Sequence, residues 1–202
     1  MSDREDPITT AILSGSAFER LRYEEGLVFT MPATKMLLVQ ALLLGILALV
    51  LPLYVLYPQS VASYMPTMDP FAASPKVLVL GFLCWGIELL SASLLVGLYY
   101  HRVRNGPLSA QQARTVINVQ EIAASLSIIT GGAGIALTVV LFSLGAFGED
   151  ALSAYLSVVA NGNVFAQSGL GISVAGLAVL SAVTAVAILA LRWVLVEVLP
   201  DP

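Results

Sequence analysis

Glu88 is the residue of this chain best placed to do chemistry. It sits alone in the apolar run "FLCWGIELLSASLLVGLYYHR", residues 82–102. A carboxyl group in the middle of a membrane-crossing helix is a candidate for holding a proton or a cation. Ser91 follows three positions later on the same helical face, and Glu121 stands near one end of a later apolar stretch. Glu88, Ser91 and Glu121 therefore form the candidate protonation or ion site, with Glu121 lining its inner mouth or simply lying on a solvated helix surface.

An ionised acid at mid-depth costs about 2.5–3.5 kcal/mol, so the charge must be offset or removed. Lys35, Lys76, Arg102 and Arg192 all lie near span ends and cannot offset it. Three states remain open to Glu88. It can be a neutral acid clamping helices through hydrogen bonds to groups such as Ser125, Thr130 or Ser181. It can hold an imported proton or cation in a hydrated pocket. It can pair with a basic residue of another subunit.

Other chemistry is sparsely provided. The one histidine, His101, lies beside Arg102 and Arg104 at a membrane edge. These three residues suit anionic lipid headgroups, although a topology signal accounts for them equally. Zinc and haem sites need more His or Cys ligands than this chain supplies, so no metal and no cofactor are expected. "GISVA" at 171–175 falls one residue short of a GxSxG nucleophile pattern and has no histidine at its depth. The lone Cys84 excludes an internal disulfide, and a net charge of −4 gives no general nucleic-acid footprint. No catalytic residues are assigned, and an enzyme is not expected.

The elements that position these residues follow from composition. The chain is 58% hydrophobic and only 11% charged, with a mean hydropathy of +0.90. A soluble domain carries roughly 25% charged residues. Four apolar stretches, about 36–57, 77–100, 122–147 and 169–191, each suffice for the ~30 Å hydrocarbon core, which takes about 20 helical residues. The fold class expected is all-α: a polytopic four-transmembrane-helix bundle. Its membrane domain covers 35–199, preceded by a cytoplasmic segment over 1–34.

Lys and Arg orient the bundle. With four spans, both termini share one side with the second loop, and that side holds Arg4, Arg20, Arg22, Lys35, Arg102, Arg104, Arg114 and Arg192. Only Lys76 lies on the other side, so both termini are expected in the cytoplasm and the protein in the cell membrane. Tyr54, Tyr57, Tyr99, Tyr100 and Trp193 fall near span ends, where amphipathic rings prefer headgroups. Only two of the nine basic residues are lysine, a weak sign of a high-salt cytoplasm.

Between the spans, local signals predict particular features. Ser16 and Glu19 form a capping-box pattern for a short N-terminal cytoplasmic helix that stops at Gly26. Pro52 is expected to kink span one. Four prolines in 58–75 rule out a long helix there and suggest a compact cover. Ser109 caps a helix running into span three, with about 18 residues beyond one membrane crossing. Gly131, Gly132 and Gly134 can bend that helix or admit a close neighbour. Leu152, Leu156 and Val159 share one face of a short helix expected at the outer interface, followed by a turn and cap at Asn161, Asn163 and Gln167. Span four, rich in Gly, Ala and Ser, belongs centrally in the bundle or at an oligomer contact.

On Glu88's helix, the face with Gly81, Cys84, Ser91, Ala92, Leu95 and Tyr99 should point into the bundle. Leu83, Ile87, Leu90, Leu94 and Leu98 should face lipid. The function expected first is a non-enzymatic structural or accessory component of a membrane assembly. The alternative is a small ion- or proton-coupled transporter or channel subunit using Glu88. The lipid bilayer, and other membrane subunits or further copies of the chain, are the expected partners.

Overall fold

In a computed structural model, residues 31–105, 108–159 and 162–198 are described, and the expected N-terminal helix and Asn161 lie outside them. Among the described residues every regular element is a helix, with no strand, and four helices are long and apolar enough to cross a membrane. Span one is α1 (Ala33–Ala48) with α2 (Val50–Val55), and span two is α3 (Val77–Asn105). Span three comprises α4 (Ala110–Ser125), a π-helical turn (Leu126–Gly131) and α5 (Gly132–Ala146). After the short α6 (Glu149–Val158), span four is α7 (Val174–Val198).

Proline chemistry explains the break in span one. Pro52 has no N–H for the Ala48 carbonyl, and its ring crowds that same group. The helix accordingly pauses at Leu49, whose N–H turns back to Ile46 at 3.0 Å. Span three runs as one helical rod from Ala110 to Ala146, 37 residues, about 55 Å at 1.5 Å per residue. It starts on a complete capping box, in which Gln112 N–H donates to Ser109 Oγ and Ser109 N–H to Gln112 Oε1. Its projecting turns bury Ala113, Val116 and Ile117 against Leu98 and Leu108.

The helices are held in register at both ends. Gly81 lies against Leu47, Thr138 and Leu177, one residue from each other span. Toward the opposite end, Arg192 Nε donates to the Thr34 carbonyl at 2.9 Å, and Tyr99 reaches the Leu195 carbonyl at 3.4 Å. That end carries Lys35, Arg102, Arg114 and Arg192 and is called the basic end here.

At the other end the two connecting loops form a shared lid. Ser74 Oγ donates within reach of the Leu170 and Ile172 carbonyls, at 2.9 and 2.7 Å, and lies 2.9 Å from Ser168 Oγ. Pro75 and Gln167 pair in an antiparallel bridge, flanked by Lys76 N–H on the Ala166 carbonyl and Val77 N–H on the Val164 carbonyl. Asn163 makes the expected turn by accepting from Phe165 N–H, and its amide also donates to the Tyr64 carbonyl. This accounts for the later start of span four, at Val174 rather than 169. Residues 163–173 are held in the lid, with positive φ at Gly169, and Ser173 Oγ accepts from Gly176 N–H as the helix begins.

The lid also corrects two expectations. Tyr54 and Tyr57 do not lie among headgroups: they are 1% and 6% exposed, donate to the Thr67 and Phe142 carbonyls, and pack on Phe142 or each other. A methyl group at Gly145 would overlap the Tyr57 ring, so glycine there makes room for it. Helix α6 does form, but its apolar face docks on the bundle, with Leu152 fully buried in the core. Tyr100 and Trp193, by contrast, are exposed at span ends as expected.

Two apolar cores fill the bundle. One, toward the lid, includes Leu47, Leu78, Cys84, Ile135, Phe142, Leu177 and Ala178. The other, toward the basic end, includes Leu37, Leu44, Ala92, Leu95, Ala124, Ala185 and Ile188. Around the outside, Leu42, Leu83, Leu90, Ile129, Val140, Val183 and Val186 are exposed aliphatics, a surface suited to hydrocarbon. On span four Ala175, Ala178, Ser181 and Ala185 are buried within the bundle, while Ala182, Ala187 and Ala190 are exposed.

Candidate functional site

Glu88 points inward with the whole face expected of it: Gly81, Cys84, Ser91, Ala92, Leu95 and Tyr99 are all buried. The opposite stripe is less uniform. Leu83 and Leu90 are exposed, while Leu98 is partly covered because the projecting turns of α4 fold back on it.

Glu88 itself is 0% exposed. Ser127 Oγ, in the π-helical turn, donates to Glu88 Oε2 at 2.6 Å. The partner is therefore Ser127 rather than Ser125, Thr130 or Ser181. Ser125 is half-buried, Thr130 is exposed, and Ser181 is buried without a hydrogen-bond partner. Four residues beyond Ser127, Gly131 backs onto the same carboxyl, and any Cβ there would overlap Glu88 Oε1. Gly134 gives the same clearance to Cys84 Sγ. The glycine cluster thus brings span three close enough for its serine to reach the acid. A π-helical turn inside an α-helix frequently marks a functional position.

The second carboxyl oxygen, Glu88 Oε1, has no hydrogen-bond partner, and it is not alone. Ser91 Oγ, Ser181 Oγ and both amide atoms of Gln40 are likewise buried and unpartnered. Gln40, 1% exposed, is the member that the sequence reading passes over. Heptad register sets it at about the depth of the acid on the neighbouring span. Gln40 lies seven residues before Leu47 and Glu88 seven residues after Gly81, and Leu47 packs on Gly81. Seven residues are nearly two full turns, so each residue returns to the same face at the same depth. Ser91 lies one turn from Glu88 toward the basic end. Ser181 precedes by one turn Thr184, which accepts from Trp85 Nε1 at 3.0 Å, so it lies toward the lid.

These side chains make a polar layer inside an otherwise apolar bundle. On span two Glu88 falls between Cys84 of one core and Ala92 of the other; on span four Ser181 falls between Ala178 and Ala185. On span three Ser127 and Gly131 fall between Ala124 and Ile135. Buried polar atoms left unpaired cost about 1–3 kcal/mol each, and native interiors carry few of them unless water or an ion completes the set.

The remaining candidates sit elsewhere. Glu121 is half-buried on α4, six residues from Ser127, about 9 Å along the helix axis toward the basic end. His101 and Arg104 are exposed and Arg102 is half-buried in the last turns of α3, so the three remain clustered at the basic end. Among the described residues no group of three or more His, Cys, Asp or Glu side chains converges as a metal site. Compared with protein-family models, with curated proteins and with solved structures, the chain matches none.

Proposed function

We propose that this chain is a small ion- or proton-coupled transporter or channel subunit of the cell membrane, with both termini cytoplasmic and Glu88 as the group that gains and loses the positive charge. The observation that carries this reading is the unpartnered Glu88 Oε1, fully buried among four further unpartnered polar atoms. A carboxyl serving only as a clamp would be expected to use both oxygens, whereas a binding site leaves one available. The neighbouring apolar cores on either side give the layer the character of an occluded compartment. His101, Arg102 and Arg104 would meet lipid headgroups at the cytoplasmic face.

The second reading is a non-enzymatic structural or accessory role in a membrane assembly. Span four leaves Ala182, Ala187 and Ala190 exposed, a small-residue surface available to another subunit. Reconstitution tests the proposal. Full-length protein in liposomes should dissipate an imposed proton or sodium gradient, and Glu88→Gln should abolish that flux while the variant stays folded and monodisperse. Flux equal in both proteins, or no greater than in protein-free liposomes, would overturn it.

A further inference from the structure

We propose that the polar layer binds one dehydrated alkali-metal cation, held between the Glu88 carboxylate and the Gln40 amide oxygen, in competition with the proton. This deepens the transport reading above and rests on it. Three features of the layer lead to the ligand class. Its unpartnered oxygens, Glu88 Oε1, Gln40 Oε1, Ser91 Oγ and Ser181 Oγ, are hard donors that favour alkali and alkaline-earth ions over thiophilic metals. The neighbouring sulfurs are otherwise engaged: Cys84 Sγ is packed against Gly134, and Met36 Sδ accepts from Gln120 Nε2. The layer carries a single carboxylate, so a monovalent ion leaves it neutral, whereas a divalent ion would strand a net charge in a low-dielectric interior.

Among the described residues no fixed group already supplies that charge, and Cys84, one turn away on the same helix, is the one titratable neighbour at this depth. The charged residues of the packed elements are Lys35 on α1, Arg114 and Glu121 on α4, and Arg192 and Glu197 on α7, all toward the basic end; α5 has none. Gln40 fits the role because both ends of its amide are unpartnered. With the cation bound, its oxygen meets the ion beside Glu88 Oε1. Ser91, one turn toward the basic end, completes the shell directly or through an ordered water, and Ser181 lies further off toward the lid.

Trp85 reports on the site without any transport assay. It lies three residues before Glu88, touches both apolar cores and is bonded to Thr184. The chain has two tryptophans, and the other, Trp193, is 64% exposed. In purified full-length Trp193→Phe protein, Trp85 fluorescence should change saturably with sodium or potassium chloride but not with choline chloride. The apparent cation affinity should fall as the pH is lowered, because the proton competes for the same oxygen. Gln40→Leu should weaken cation binding at least tenfold while leaving a response to pH, and Glu88→Gln should remove both responses. A pH response without a cation response would overturn the cation site and leave the proton reading standing. No Glu88-dependent response to either would overturn both. Gln40→Glu keeps an oxygen at that position and adds a second carboxylate, so by the same charge count a folded Gln40→Glu protein should respond to calcium chloride even if Gln40→Leu fails to fold; no response of it to any cation would also overturn the proposal.

Discussion

Ser127 and Glu88 stand 39 positions apart in sequence and meet through a 2.6 Å hydrogen bond that is wholly buried. Removing the hydroxyl leaves Glu88 Oε2 without its donor. Ser127→Ala should therefore lose about 0.6–2 kcal/mol of stability, the span between a typical interhelical bond in a membrane and an unsatisfied buried group. Unfolding in a denaturing detergent titration measures it. The loss should vanish in a Glu88→Ala background; an equal loss in both would assign the effect of Ser127 to some other contact.

The pair Gly134 and Cys84 sets a packing limit one turn away. A methyl group at Gly134 would overlap Cys84 Sγ, so Gly134→Ala should destabilise by about 1–3 kcal/mol, as overpacking does. In a Cys84→Ala background the overlap is gone, and the same change should be neutral or slightly stabilising, since alanine is the better helix former. A double-mutant cycle by thermal or detergent unfolding reads the coupling. Strict additivity would mean that span three does not approach span two here.

Orientation can be tested with cysteines. Starting from Cys84→Ala, Ser60→Cys lies at an exposed position near the lid and Gln111→Cys at an exposed position near the basic end. A membrane-impermeant maleimide applied to intact cells should label the first, and should label the second only after the cells are opened. The reverse pattern would invert the bundle.

Much of this architecture can be read from composition and period. Spans long enough to cross a membrane, the Ser109 cap, the effect of Pro52 and the inward face of Glu88 depend on local rules that the fold leaves intact. What escaped the sequence depends on contacts between distant segments. Tyr54 and Tyr57 have the profile of headgroup anchors until a lid, assembled from residues about a hundred positions apart, covers them. Ser127 was within reach: Gly131 and Gly134 mark the face of span three that approaches span two, and the serine stands one turn before them. Gln40 is the lone polar side chain in "KMLLVQALLLG", yet its importance depends on a register with span two that only packing sets. The π-helical turn has no simple signature in residue types.

Spans two and four are fastened at three heights: the Ser74 network in the lid, Trp85 to Thr184 at mid-depth, and Tyr99 to Leu195 near the basic end. Arg192 then ties span four to span one. Span three is pinned to the span-one segment at both ends, by the Tyr57 hydroxyl on the Phe142 carbonyl at 2.7 Å and by Gln120 Nε2 on the Met31 carbonyl at 3.1 Å, so every rod of the bundle is tied to a neighbour and the layer around Glu88 opens only when such ties are released.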